Sequence, residues 1–223
     1  MRIACLALGL LVIGATGLSA KPREKYEWSR MWWNEANDES LPRVLLIGDS
    51  ITEGYQGFVA EELRDVAHVG YWTSSKCVSD RSYLALLRYV LDEYPYAVIH
   101  FNNGLHSLDA DRGEWVEGLR GAFRLLRERR NGAQVIWGTS TPLRPMELTA
   151  ISAELNALAA PLVSEMGWPT DDLFGLMNHD DRATEWSDDF PFHEAARRRQ
   201  AKQVADMIRA YLPAPAASAA PAE

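Results

Sequence analysis

The 223-residue sequence predicts an α/β domain with a mostly parallel sheet and helices on both of its faces. Three observations lead there. Strand and helix patterns alternate from Arg43 onward, as they do where crossover helices join parallel strands. The run 44–47 is apolar without alternation, which suits a strand covered on both faces. The stretches between the apolar runs place their large residues at three- and four-residue spacing, the period of an amphipathic helix.

The elements follow in order. Strand 44–47 stops at Gly48-Asp49-Ser50, and Tyr55, Phe58, Val59 and Leu63 then share one helical face. Residues 66–69 form a short second strand ended by Gly70. Ser79 or Asp80 caps a helix carrying Leu84, Leu87, Val90 and Leu91. Residues 97–101 are a third strand. Residues 114–130 are helical, with Val116, Leu119, Phe123 and Leu126 on one side and Asn131-Gly132 as the stop. A fourth strand covers 134–137 and closes at Thr141-Pro142. A helix over 147–166 ends at Gly167, and 172–174 read as a short fifth strand. The last helix carries Ala201, Val204, Ala205, Ile208 and Leu212.

The two ends have a different character. Arg2, the apolar stretch 3–18 and Leu18-Ser19-Ala20 have the form of a cleavable export signal over 1–20, so the protein is expected in the periplasm or outside the cell. The stretch is barely long enough to span a bilayer, which makes an anchor the weaker reading. Removing it leaves roughly 200 residues, enough for one α/β domain. Cys5 leaves with the signal, and Cys77 alone cannot form an intrachain disulfide. Residues 21–42 set Tyr26, Trp28, Trp32 and Trp33, with Met31, among charges, in the manner of a lid or brace, with a sugar-stacking platform for the aromatics as the alternative. The domain proper covers 43–212, and the Ala/Pro-rich tail 213–223 reads as disordered. A formal net charge of −8 argues against nucleic acid and anionic membranes as partners. The five histidines show no metal-ligand spacing.

The chemistry-bearing residues lie where the pattern changes. Ser50 stands on a strand-to-helix turn, at the carboxyl edge where open α/β sheets bind ligands. It suits a nucleophile, and equally a helix N-cap. At the far end Asp188-Asp189-Phe190-Pro191-Phe192-His193 precedes the last helix, and the His193 ring has the acidity of a general base near neutrality.

Together these segments resemble the SGNH (GDSL-like) hydrolases, whose first block G-D-S-[IL]-T is complete as Gly48-Asp49-Ser50-Ile51-Thr52 and whose order Ser…Asp…His is kept over about 43–212. The resemblance implies a flavodoxin-like three-layer α/β/α sandwich and a serine esterase working through an acyl-enzyme, without metal or organic cofactor. It implies Ser50 as nucleophile and His193 as base. The family's D-x-x-H puts the orienting acid at Phe190, so Asp189 is the first candidate for the role and Asp188, one residue further off, the second, with Pro191 as the bend that brings one of them in, and with neither as the remaining alternative. The family's G-x-N-D block is replaced by Asn102-Asn103-Gly104-Leu105-His106, similar to a variant N-x-G-L-H, which makes Asn102 and His106 the oxyanion or substrate-binding candidates beside the Ser50 N–H. A glycine loop is expected after the second strand, where Thr73-Ser74-Ser75-Lys76 stands instead. Asp49 is read as holding the turn. The implied substrate is a small acyl ester, acetyl on a carbohydrate foremost, with lipase, thioesterase and arylesterase activities also known in the family. A noncatalytic carbohydrate-binding protein on the same scaffold is the alternative.

Overall fold

A computed structural model describes residues 25–179 and 182–214. The expected leader, 1–20, and all but the first two residues of the tail, 213–223, lie outside the described residues. Strand β1 (Ser29–Trp33) precedes β2 (Arg43–Gly48), which runs into helix α1 (Ser50–Glu62). Then come β3 (His68–Ser74), α2 (Tyr83–Glu93), β4 (Val98–Phe101), α3 (Arg112–Arg129), β5 (Gln134–Gly138) and α4 (Met146–Met166). The chain closes with β6 (Thr170–Asp171), α5 (Leu173–Met177), α6 (Arg182–Glu185) and α7 (Glu194–Arg209).

The sheet runs β1-β3-β2-β4-β5-β6. All neighbours pair in parallel except β1, which lies antiparallel along β3. Counting the parallel strands alone, the order is 2-1-3-4-5, the flavodoxin-like arrangement. Every residue of β2 is buried, because both faces of the sheet are covered. Alternate residues divide the core in two. Leu45, Ile47, Ile99, Phe101, Val135 and Trp137 pack beneath α2, α3 and α4, while Val44, Leu46, Val98 and Ile136 pack beneath α1, α5 and α7. Among the described residues no helix is long and apolar enough to cross a membrane.

Several elements depart from expectation. The second strand lies at His68–Ser74 rather than 66–69 and runs through Gly70, where a Cβ would strike the Trp33 ring of β1. Gly70 therefore marks the close approach of a neighbouring strand, not a strand end. The residues 73–76, expected as a glycine-type loop, begin inside that strand. Ser82, not Ser79 or Asp80, precedes α2; Asp80 instead accepts from the Cys77 N–H and folds the turn before it. The fifth strand is Thr170–Asp171, and 172–174 open a helix because the Asp172 carboxylate caps it by accepting from the Gly175 N–H. Gly167 ends α4 as read from sequence, with φ at +66°.

Candidate active site

The chain leaves β2 toward β3 on one side and takes up β4 on the other, so the crevice at the carboxyl ends of β2 and β4 is the switch point at which open α/β sheets bind ligands. Ser50 and Asn102 emerge on either side of it. The cap of α1 belongs to Asp49, whose buried carboxylate accepts from the Ile51 N–H at 2.9 Å and reaches across to the Leu105 N–H at 3.3 Å. One side chain thus fixes the turn after β2 and ties it to the crest after β4. Ser50 is the first helical residue, its hydroxyl is not needed for capping, and it is exposed.

Ser50 opens on a surface cleft of about 510 Å³ whose walls include Trp28, Glu53, Phe192 and Arg197. Pro191 and Phe192 bring the segment before α7 to the serine. His193 is the residue preceding α7; its backbone N–H donates to Glu185 O at 2.9 Å and its carbonyl accepts from the Arg197 N–H at 3.0 Å. The backbone is held on both sides while the ring is left exposed. Among the described residues no hydrogen bond joins Ser50 to the His193 ring.

The acidic candidates sit at the tip of a short hairpin. Trp186 and Phe192 bridge, the Ser187 N–H donates to Pro191 O at 2.9 Å, and Asp188, Asp189 and Phe190 turn outward between them. Neither carboxylate makes an ion pair with the His193 ring. They are not equivalent, however. Asp188 spends an oxygen on the Asp189 N–H at 2.9 Å, whereas Asp189 is anchored through its backbone, by that N–H and by its carbonyl, which accepts from the Arg144 N–H at 3.0 Å. The Asp189 carboxylate makes no hydrogen bond among the described residues.

Asn102 is buried, and its amide donates to Gly138 O at 2.8 Å and to Ser140 Oγ at 3.2 Å, joining the crests of β4 and β5. Gly104 is required beside it, since a Cβ there would collide with the Ser140 side chain. Asn103 turns the other way, accepting from the Val78 N–H and donating to Lys76 O, and so ties this crest to the loop after β3. His106 is half-buried and stands edge-on to Trp28, with ring centroids 6.1 Å apart. The aromatic N-terminal segment is therefore part of the sheet edge: the Trp28 N–H donates to Ser75 Oγ at 2.9 Å, and its ring walls the serine cleft. Sequence reasoning missed Arg197 and Glu53 as cleft residues; the only signal was the helical spacing of Arg197 one turn after His193.

No protein-family model and no curated protein matches the sequence. Solved structures do match the fold. A lipolytic protein of the G-D-S-L family from Veillonella parvula superposes with a TM-score of 0.62 at 17% identity, covering 75% of this chain and 98% of its own. The fold is that of the SGNH hydrolases. The lipase/acylhydrolase from Enterococcus faecalis matches with a TM-score of 0.62 at 17% identity, over 78% of this chain and 98% of that one. An acetylxylan esterase from Geobacillus stearothermophilus gives 0.63 at 14% identity, over 76% and 94%. The similarity lies in the SGNH architecture.

Proposed function

We propose that this chain is an exported serine ester hydrolase that removes a small acyl group, acetyl foremost, from a carbohydrate. The observation that carries the reading is the division of labour at the turn after β2. Asp49 takes the helix cap, so Ser50 presents an exposed hydroxyl in a cleft walled by the residues that lead into His193.

In this reading His193 withdraws the Ser50 proton as Oγ attacks the ester carbonyl, and returns it to the departing sugar hydroxyl. The acyl-enzyme is then opened by water, with His193 acting again as base. Negative charge on the tetrahedral oxygen meets the Ser50 N–H, one of the helix N-terminal donors that no intrahelical acceptor uses. Asn102 joins by trading its longer bond to Ser140 Oγ for the oxyanion, and His106 borders the substrate through Trp28. Asp189 orients His193 once the hairpin tip folds inward, as catalytic hydrogen bonds that are open in an unliganded site commonly tighten with substrate. Acetylxylan esterases among proteins of this fold, and the aromatic wall at Trp28, support a glycan as the alcohol. The leader expected at 1–20 supports export.

Short acyl-ester cleavage by the wild type, lost in both Ser50→Ala and His193→Ala, tests the proposal. A noncatalytic glycan-binding role has one observation in its favour: neither the Asp188 nor the Asp189 carboxylate is paired with the His193 ring. Glycan binding with no ester cleavage in the wild type would select it.

A further inference from the structure

Helix α7 carries three consecutive arginines, and two of them are paired. Arg198 forms ion pairs with Glu61 and Glu194, and Arg199 with Glu185. Arg197 has none. Its guanidinium makes no hydrogen bond or ion pair with any described residue, and its Nε is buried without an acceptor. Leaving the buried Nε unpaired is costly, while the terminal nitrogens of the half-buried side chain, which are unpartnered but not buried, face no acceptor of the protein and can take one from the cleft.

The side chain is nevertheless held in place. Its stem lies across α1 at Gly54, where an added Cβ would come within 3.2 Å of the Arg197 Cδ. The guanidinium stands 6.0 Å from the Phe58 ring. Arg197 follows His193 by one helical turn and lines the same cleft as Ser50. The other cleft charges, Arg30 and Glu53, form an ion pair with each other and cancel. Arg197 thus supplies the uncompensated charge of the cleft wall, in a cleft that Trp28 also lines.

Resting on the esterase reading above, we propose that Arg197 is a specificity residue that receives a carboxylate on the substrate, and that the ester is carried by an anionic sugar of the uronic acid class. The planar guanidinium fork matches a carboxylate in two parallel hydrogen bonds, which a lysine ammonium cannot reproduce. The net negative charge of the protein gives no long-range attraction to such a glycan, so discrimination falls to this local contact.

The test compares an acetylated oligogalacturonate with an acetylated xylo-oligosaccharide as anionic and neutral esters. The wild type should favour the anionic ester, and Arg197→Gln should lower the anionic-to-neutral ratio of kcat/KM by roughly 10- to 100-fold, chiefly through KM. Arg197→Lys should keep part of the preference. A ratio unmoved by Arg197→Gln, or a wild type that favours the neutral ester, overturns the proposal. Calorimetric titration with deacetylated oligogalacturonate separates this from the esterase reading. If no ester is cleaved but the glycan binds the wild type and binds Arg197→Gln at least 10-fold more weakly, the carboxylate site stands and the esterase reading falls. No binding to the wild type overturns the site.

Discussion

Replacing Asp49 with alanine removes the acceptor from two backbone N–H groups at once. The cap bond to Ile51 at 2.9 Å has ordinary geometry, and losing an aspartate cap costs about 1 kcal/mol. The Leu105 N–H at 3.3 Å is a longer and weaker bond, but the donor is left in a crest that is otherwise packed, which adds about 1 kcal/mol, the lower end of the cost of an unsatisfied buried donor. The loss of about 2 kcal/mol corresponds to a Tm lower by roughly 4–8 °C in a domain of this size. Asp49→Asn should recover about half, because its amide oxygen can still cap α1 while its NH2 faces the Leu105 donor. Thermal unfolding followed by circular dichroism, with urea titration as a check, reads both variants. Activity should fall in Asp49→Ala at temperatures where it is fully folded, since the turn that aims Ser50 is no longer pinned to the β4 crest. An alanine variant within about 0.5 kcal/mol of wild type would refute the claim that this carboxylate builds the turn.

Three further outcomes are expected. Asp189→Asn should reduce kcat by orders of magnitude while Asp188→Asn acts mainly on stability, because Asp188 is spent on the hairpin turn; the reverse ranking in steady-state kinetics would move the orienting role to Asp188. Asn102→Ala should lower kcat by roughly 10²–10³ with KM little changed, and a change confined to KM would place Asn102 in substrate binding instead. Burial pushes the phenols of Tyr55, Tyr83 and Tyr96 well above their ordinary value of 10.0, so their protonated forms stabilise the fold fully below that pH and the contribution is lost as pH rises past it. Absorbance titration should then show these tyrosines ionising together with unfolding; smooth ionisation in the native protein would contradict their burial.

Much of the architecture was legible because parallel strands covered on both faces leave an unbroken apolar signature, as in Val44-Leu45-Leu46-Ile47, and because Gly167 can stop a helix where other residues resist a positive φ. Strand β1 escaped notice because it is an edge strand whose residues are mostly exposed, so its sequence SRMWW lacks a buried alternation. Strand β6 is two residues long and has no period to detect, and Asp172 looked like strand when it was a cap. At the candidate site, Ser50 stood out on its strand-to-helix turn and His193 before the last helix, and the resemblance of Gly48–Thr52 to the SGNH first block linked the two. The direction of the 187–191 hairpin tip was not, since it depends on a backbone bond from Arg144 that no local spacing encodes. Arg197 was hidden for a similar reason. Helical spacing pairs Arg198 with Glu194, but only the fold brings Glu61 to Arg198 and Glu185 to Arg199 while no carboxylate reaches Arg197 among the described residues.

The central claim is that Ser50 is an activated nucleophile. Reaction of the wild-type protein with a serine-directed alkyl phosphonate, followed by peptide mass analysis, tests it most directly. The account predicts one adduct, on Ser50, formed in parallel with loss of ester cleavage, and much slower labelling in His193→Ala. An adduct on another residue, or an unlabelled Ser50 in a protein that still cleaves esters, would contradict it.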